Sequence, residues 1–321
     1  MAEFARCKFA QTPPNFFVAR FLIAVFVLRI SAQIPPPEIS NDLLLNKIDL
    51  LVRQGELAAA ENSAREYVQA HSNSADGHFT LGYVLFLESK AKESLAEYTQ
   101  GAKYRAPGAR DLKVVASDYV VLGDFSDADK WFSKVVEWNP KDFQAWYDLG
   151  RTKYNENRFD EAISVFKKAL QLDPASVKAE DNLGLSYGAL GNNDEAVAAY
   201  QRAIALQEKS ADKNPGPYLD YGSLLVDDNR VEEALPLLTQ AAAISPADFR
   251  MHRALGKAYA HLNETAKARE ELEKAVKLAP GDAPVHFMLA QVYRKLGMTA
   301  QAKAENETYS RLTGTGSAPE K

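Results

Sequence analysis

The side chains most able to do chemistry are sparse and scattered along this sequence. A single cysteine, Cys7, excludes an internal disulfide and a zinc site made of several thiolates. No glycine-rich phosphate loop, dinucleotide-binding glycine pattern or nucleophile elbow occurs. The histidines lack the paired spacing of metal ligands; they are His71, His78, His252, His261 and His286. The sequence therefore predicts no enzyme, no cofactor and no metal site.

The composition is that of a folded protein. Hydrophobic residues make up 46% and charged residues 25% of the 321 residues, which excludes a disordered or collagen-like chain. The net charge is -5, with 38 basic and 43 acidic residues. A dedicated nucleic-acid binder usually has a strong basic excess, so nucleic acid is not expected as a partner.

Residues 1–32 have the layout of a secretory signal peptide. Basic residues precede the apolar run at 21–28, and Ala32 offers a small residue before a cleavage site. The run is too short to span a bilayer, which needs about 20 apolar residues. Cleavage after Ala32 would give a secreted or periplasmic protein, followed by a proline-rich spacer at 33–40. The alternatives are a leader with a chance apolar stretch, or a retained leader that tethers the protein to a membrane.

The remainder of the sequence repeats with a period of 34 residues. Matching segments begin at residues 41, 75, 109, 143, 177, 215, 249 and 283, and one step, from 177 to 215, is 38 residues long. Eight units therefore cover residues 41–316, and residues 317–321 form a predicted flexible tail. Each unit holds two stretches with helical apolar periodicity, joined by a polar turn.

Two positions of the unit are almost always small. Position 8 carries Gly or Ala in every unit except the first, which has Ile48, and position 20 carries Ala or Ser throughout. Positions 7, 11 and 24 are mostly large and apolar. Small residues are needed where two helices cross at short distance, so these positions predict a close contact inside each unit.

This pattern resembles the tetratricopeptide repeat, a 34-residue helix-turn-helix unit. The unit from residue 143 carries the residues that define the resemblance, namely Trp146, Leu149, Gly150, Ala162, Phe166, Ala169 and Pro174. The resemblance implies an all-α, right-handed superhelical solenoid of about eight repeats. It also implies a non-enzymatic scaffold or adaptor whose concave groove binds an extended segment of a protein or peptide partner. Alternatives are an accessory protein that binds a glycan or small molecule, and a membrane-tethered assembly factor.

In members of this family, certain positions of the first helix face the groove. Applied to this sequence, they give an aromatic first half and a basic second half. The predicted groove residues are Phe79, Tyr83, Phe86, Tyr147, Tyr154, Arg250, Arg253, Lys257, His261, Arg294 and Lys295. We expect apolar side chains of the partner on the aromatic half and acidic groups on the basic half. The alternative is that the aromatic residues pack between repeats and the basic residues are solvated.

A basic clamp for a C-terminal carboxylate, known in some family members, is not expected here. Asn182 stands at one clamp position, but Tyr147 and Asp220 stand where that clamp has basic residues. Three histidines, at 78, 252 and 286, share position 4, where the family often has Trp. We therefore interpret them as packing residues.

Overall fold

The computed structural model describes residues 42–314; the predicted signal peptide (1–32), spacer (33–40) and tail (317–321) lie outside this range. Within it the chain forms sixteen α-helices and no β-strand. The helices pair in chain order, so the predicted all-α solenoid of eight helix-turn-helix repeats is confirmed. No helix in this range is both long and apolar enough to cross a membrane.

The helices alternate between a first and a second helix of each repeat. Repeats 1 to 4 consist of α1 (Leu43–Arg53) and α2 (Leu57–Ala70), α3 (Ala75–Leu87) and α4 (Ala91–Gly101), α5 (Ala109–Leu122) and α6 (Phe125–Trp138), α7 (Phe143–Asn155) and α8 (Phe159–Leu172). Repeats 5 to 8 consist of α9 (Val177–Ala189) and α10 (Asn193–Lys209), α11 (Gly216–Asp227) and α12 (Val231–Ile244), α13 (Phe249–His261) and α14 (Thr265–Leu278), α15 (Ala283–Lys295) and α16 (Thr299–Thr313).

The turn inside each repeat depends on one residue with a positive φ angle. It is Gly in four repeats, Asn in three and Ser89 in one, and these residues are Gly55, Ser89, Gly123, Asn157, Gly191, Asn229, Asn263 and Gly297. Gly has no Cβ to clash in this left-handed conformation, and Asn tolerates it better than most residues. Each first helix can therefore end abruptly and its partner helix can fold back against it.

Close contact between the two helices of a repeat explains the small residue at position 8. A Cβ added at Gly150 would lie 2.6 Å from the Phe166 ring, and one at Gly184 would lie 2.7 Å from the Tyr200 ring. The first repeat reverses the two sizes, because Ile48 and Ala64 are both buried there in one apolar cluster. Ile48 and Ala64 thus still place one large and one small side chain at this contact, so the total side-chain volume there is similar.

The curvature of the stack follows from which helices meet. Each second helix contacts its own first helix and the first helix of the next repeat, while most first helices also contact one another. The first helices therefore line the inner, concave side of the array, as in other helical solenoids.

Three histidines brace the start of their repeats. His78, His252 and His286 each place Nδ1 against a glutamate of the second helix and Nε2 against a backbone carbonyl six residues earlier. Trp146 occupies the same position in repeat 4, where its indole N–H donates to the Pro140 carbonyl at 3.0 Å. In these four repeats, position 4 thus carries a ring that ties the first helix to the preceding turn.

Repeat 5 is the long repeat, and its extra residues lengthen the second helix. Helix α10 has 17 residues, and residues 210–215 then lead to α11. Buried Gln207 donates from Nε2 to the Asp212 carbonyl, and Lys213 donates to the Ser210 carbonyl at 3.0 Å. These bonds fold the connection back onto the end of α10, and it leads into α11 at Gly216, beside Asp181.

Candidate functional site

The predicted groove residues lie on four of the inner helices. Helix α3 carries Phe79, Tyr83 and Phe86, and helix α7 carries Tyr147 and Tyr154. Helices α13 and α15 carry the basic residues, which are Arg250, Arg253, Lys257, His261, Arg294 and Lys295. The structure therefore distributes them over repeats 2, 4, 7 and 8 and does not gather them into one constellation.

The three aromatic residues of repeat 2 are packing residues. Phe79, Tyr83 and Phe86 are 5%, 4% and 1% exposed and share a cluster with side chains of α4 and α5. The Arg110 guanidinium lies over the Tyr83 ring, with its carbon 4.5 Å from the centroid. A partner would find little aromatic surface here, because the next repeat already covers it. Sequence position places these residues on the groove helix, but it does not reveal how closely the following repeat packs.

The two tyrosines of repeat 4 lie nearer the groove surface. Tyr147 is 8% exposed, accepts a hydrogen bond from Asn182 Nδ2 at 3.3 Å and has Lys178 Nζ 4.4 Å from its ring centroid. Tyr154 is half-buried and meets Phe159 edge-on at 5.3 Å between centroids. Tyr147 is therefore engaged by polar and cationic neighbours from repeat 5, and Tyr154 retains some surface.

The basic residues of repeat 7 form ion pairs within the chain. Arg253 pairs with Asp282 at 3.1 Å, and Arg250 pairs with Asp248 at 2.6 Å. Lys257 pairs with Asp227 of the preceding repeat. The positive charge predicted from the sequence is thus neutralised locally, so repeat 7 does not offer a bare basic surface.

The remaining predicted basic residues lie exposed at the C-terminal end of the groove. His261, Arg294 and Lys295 are all exposed. Arg294 Nε donates a long hydrogen bond to the Ala290 carbonyl at 3.5 Å, and Lys295 donates to Asn263 Oδ1 at 3.4 Å. The bonding partners of Arg294 and Lys295 are uncharged, so their positive charge remains available to a ligand.

Sequence reasoning missed a series of buried or half-buried carboxyl groups on the inner helices of repeats 4 to 6. Asp148 is 2% exposed and accepts a hydrogen bond from Gln144 Nε2 at 2.8 Å. Burial raises the pKa of Asp148 to about 6, although Gln144 and the charges of Lys113, Arg151 and Lys178 act in the opposite direction. Asp148 is thus a buried carboxyl with cations around it.

Asp181 and Asp220 form the next part of this series, with far less positive charge around them. Burial, and then the charge of Asp220, raises the pKa of Asp181 well above its usual range. Burial also raises the pKa of Asp220 to about 6, against the opposing charge of Arg250. One indication of this series was visible in the sequence, because Asp220 stands at the clamp position where a basic residue would be expected. Its pairing with Asp181 required the packing of α9 against α11.

Comparison with known families supports the fold from one end of the described chain to the other. Two tetratricopeptide repeat families match, one at residues 45–110 and 219–283 and the other at residues 263–314. Residues 112–215 match the middle tetratricopeptide-like domain of cilia and flagella-associated protein 70. A search of curated protein sequences found no matching relative.

Solved structures share the architecture at low sequence identity. A chain of the APC/C hetero-tetramer Cut9–Hcn1 is 21% identical with a TM-score of 0.62; the match covers 86% of the present chain and 54% of that chain. A tetratricopeptide repeat protein from Parabacteroides merdae is 21% identical with a TM-score of 0.64, and the match covers 78% and 97% of the two chains. PilW, a widely conserved type IV pilus biogenesis factor, is 17% identical with a TM-score of 0.57, covering 63% and 92%.

The Cut9–Hcn1 match spans about half of its chain, and identities of this size establish the shared fold alone. The family matches reach from α1 to α16, and the helices pair throughout that range. On these grounds the chain is a tetratricopeptide repeat protein.

Proposed function

We propose that this protein is a non-enzymatic scaffold that binds an extended segment of a partner protein in its concave groove. The observation that carries the proposal is the inner surface, to which the first helix of every repeat contributes and on which most of these helices contact one another. Such a surface suits a long, narrow ligand, and tetratricopeptide repeats generally bind protein or peptide partners.

The exposed basic residues at the C-terminal end of the groove favour a ligand with acidic groups at that end. Arg294 and Lys295 lie exposed on the inner helix of repeat 8, and His261 lies exposed at the end of the preceding inner helix. We expect acidic groups of the partner at this end. Charges near the rim of an interface steer association and change affinity modestly.

Selection of random displayed peptides on the full-length protein tests the proposal. We expect peptides that compete with one another for a single surface. The double variant Arg294→Glu/Lys295→Glu should weaken binding of a selected acidic peptide by about three- to tenfold, measured by fluorescence anisotropy. The matched control is Lys303→Glu/Arg311→Glu, which makes the same charge change on the second helix of the same repeat and should leave affinity unchanged.

Two results would contradict groove binding. The first is a selection that enriches no binding peptide. The second is an outer-helix control that weakens binding as much as the groove variant does, because this would place the ligand outside the groove or make the effect one of net charge.

We also propose that the protein is exported and that the mature chain begins after Ala32. The basic residues and apolar run of residues 1–32 are what support this. N-terminal sequencing of protein recovered from the exported fraction should begin at Gln33. A chain that begins at Met1 and remains with the membrane fraction would instead support the tethered alternative.

A further inference from the structure

Two carboxyl groups interact across the boundary of repeats 5 and 6, where the charge of Asp220 acts on Asp181. Asp181 lies just over one turn into α9, and Asp220 lies just over one turn into α11. Asp181 is 6% exposed, and its Oδ1 atom accepts no hydrogen bond from the described residues. Its Oδ2 atom lies 3.0 Å from the point that a Cβ of Gly216 would occupy, so the carboxyl is directed toward repeat 6. An unpartnered buried oxygen of this kind lowers stability.

The groups around this pair are tyrosines and one arginine that is already engaged. Tyr154 and Tyr200 both lie close enough for the charge of Asp220 to act on their hydroxyl groups. Arg250 is the cation that acts on Asp220, but its Nε and Nη2 atoms donate to Asp248 at 2.6 to 3.1 Å. The pair therefore combines two acidic groups and two neighbouring tyrosines with too little positive charge to balance the carboxyls.

The pair remains within reach of a ligand. Asp220 keeps part of its surface exposed, although burial is the main cause that raises its pKa. This combination is expected for a group on the floor of a groove. The site also lies beside the extra residues of the long repeat, whose connection ends at Gly216 against Asp181. The departure from the 34-residue period thus coincides with the unusual carboxyl pair.

We propose that the Asp181–Asp220 pair on the groove floor binds a lysine or arginine side chain of the extended partner segment. This inference rests on the proposed groove function and adds a positively charged residue to the partner. A cation between the two carboxyls would satisfy the Asp181 Oδ1 atom and offset the repulsion between the two groups.

The neighbouring part of the groove already contains an example of this arrangement within the chain. Lys178 Nζ lies 4.4 Å from the centroid of the Tyr147 ring and 5.2 Å from that of the Phe143 ring, and it donates to Gln144 Oε1 at 2.5 Å. Its charge also acts on Asp148. A lysine among two aromatic rings, an amide and a carboxyl is therefore present on this inner surface. In the described residues no group of three potential metal ligands occurs, so the side-chain cation is the better match for two carboxyls.

The test compares peptide selections on the full-length wild type and on Asp181→Asn/Asp220→Asn. Peptides selected on the wild type should share one Lys or Arg. For one such peptide, the double variant should weaken binding about thirtyfold or more, and replacing the peptide's Lys with the neutral isostere norleucine should do the same. The matched control is Glu66→Gln/Glu270→Gln, which neutralises two exposed carboxyls on second helices and should leave affinity unchanged.

A pH series gives a second measurement on the same peptide. The groups that face the pair are Tyr154, Tyr200 and Arg250, none of which changes charge between about pH 5 and pH 8 in ordinary surroundings. Peptide affinity should therefore rise over this interval as Asp220 ionises, and the Asn variant should lose the rise.

The outcomes separate the two proposals. Peptides that bind with no preference for Lys or Arg, or that keep this preference on the double variant, overturn the carboxyl-pair proposal and leave groove binding intact. A selection that yields no binding peptide overturns groove binding and this inference with it. Equal weakening by the Glu66→Gln/Glu270→Gln control would assign the effect to net charge and overturn the assignment to Asp181 and Asp220.

Discussion

The groove of repeats 7 and 8 and the groove of repeats 5 and 6 use charge in opposite ways. In repeat 7 the inner helix carries three cations, and each has a carboxylate partner within the chain, as in the Arg253–Asp282 pair at 3.1 Å. At the boundary of repeats 5 and 6 the inner helices carry Asp181 and Asp220, and Asp181 Oδ1 has no hydrogen-bond partner among the described residues. The sequence draws attention to the first region because its charges are numerous. The structure shows that pairing, and not the number of charges, decides which groups are available to a partner.

This contrast predicts that neutralising a carboxyl changes the free energy of unfolding in opposite directions in the two regions. A paired carboxylate contributes to stability, because removing it leaves the positive charge of its partner uncompensated. A buried carboxyl without a partner lowers stability, so its loss relieves the cost of keeping a charge away from water.

The largest effect is expected in the paired region, from Asp282→Ala. Asp282 accepts a hydrogen bond from the Val285 N–H at 3.1 Å at the start of α15 and also pairs with Arg253. Losing both the helix cap and the ion pair should lower the free energy of unfolding by about 2 to 4 kcal/mol. Urea unfolding measures this. The exposed Glu137→Ala should change it by less than about 0.5 kcal/mol, and an equal loss in that control would refute the distinction.

The next effect has the opposite sign and comes from Asp181→Asn/Asp220→Asn. At about pH 8 the two side chains keep their shape but no longer carry buried charge. The free energy of unfolding should rise by about 1 to 3 kcal/mol. Glu66→Gln/Glu270→Gln is the control, and a destabilised Asp variant would show that the pair supports the fold.

The pH dependence of that difference gives a sharper comparison. Asp220 has a pKa of about 6 in the folded chain, against a usual value of 3.8, and the pKa of Asp181 is raised as well. Between the usual and the raised pKa, the folded state binds more protons than the unfolded state. The stability of the folded state therefore falls as pH rises through this interval. The gain in stability of the Asn variant over the wild type should be near zero at about pH 4 and should grow as pH rises through about 6, where Asp220 ionises in the folded chain. A difference that does not vary with pH would mean that the pair ionises normally.

The smallest effect is expected from backbone strain in the turn of a repeat, away from the groove. Ser89 has a φ angle of 62° at the turn position where other repeats have Gly or Asn. Ser89→Gly should raise the free energy of unfolding by about 0.5 to 1 kcal/mol, because glycine adopts this conformation without a Cβ clash. Gly123→Ser, the reverse change at the equivalent turn, should lower it by a similar amount, and equal signs for the two variants would contradict this account.

Much of the fold could be predicted from the sequence because its causes are local and recur. The small residue at position 8 and the large residue at position 24 predict one close contact per repeat, and Gly184 against the Tyr200 ring is that contact. The departure at Ile48 and Ala64 was visible in the sequence, but its meaning as an exchange of sizes required both side chains to be placed in one cluster.

The charge pattern of the groove could not be predicted in the same way. Arg253 and Asp282 are 29 residues apart and belong to different repeats, so their pairing depends on how one repeat stacks on the next. The burial of Phe86 at 1% exposure has the same origin. Helical periodicity identifies the face of a helix, but it does not say how much of that face the neighbouring repeat covers.

The most direct test of the account is urea unfolding at about pH 8 of the wild type and Asp181→Asn/Asp220→Asn, each without and with the selected Lys-containing peptide. The account predicts that the free variant is more stable than the free wild type, and that the same saturating concentration of peptide stabilises the wild type by about 2 kcal/mol more than the variant. A free variant that is less stable than the wild type, together with equal stabilisation of both proteins by the peptide, would contradict it.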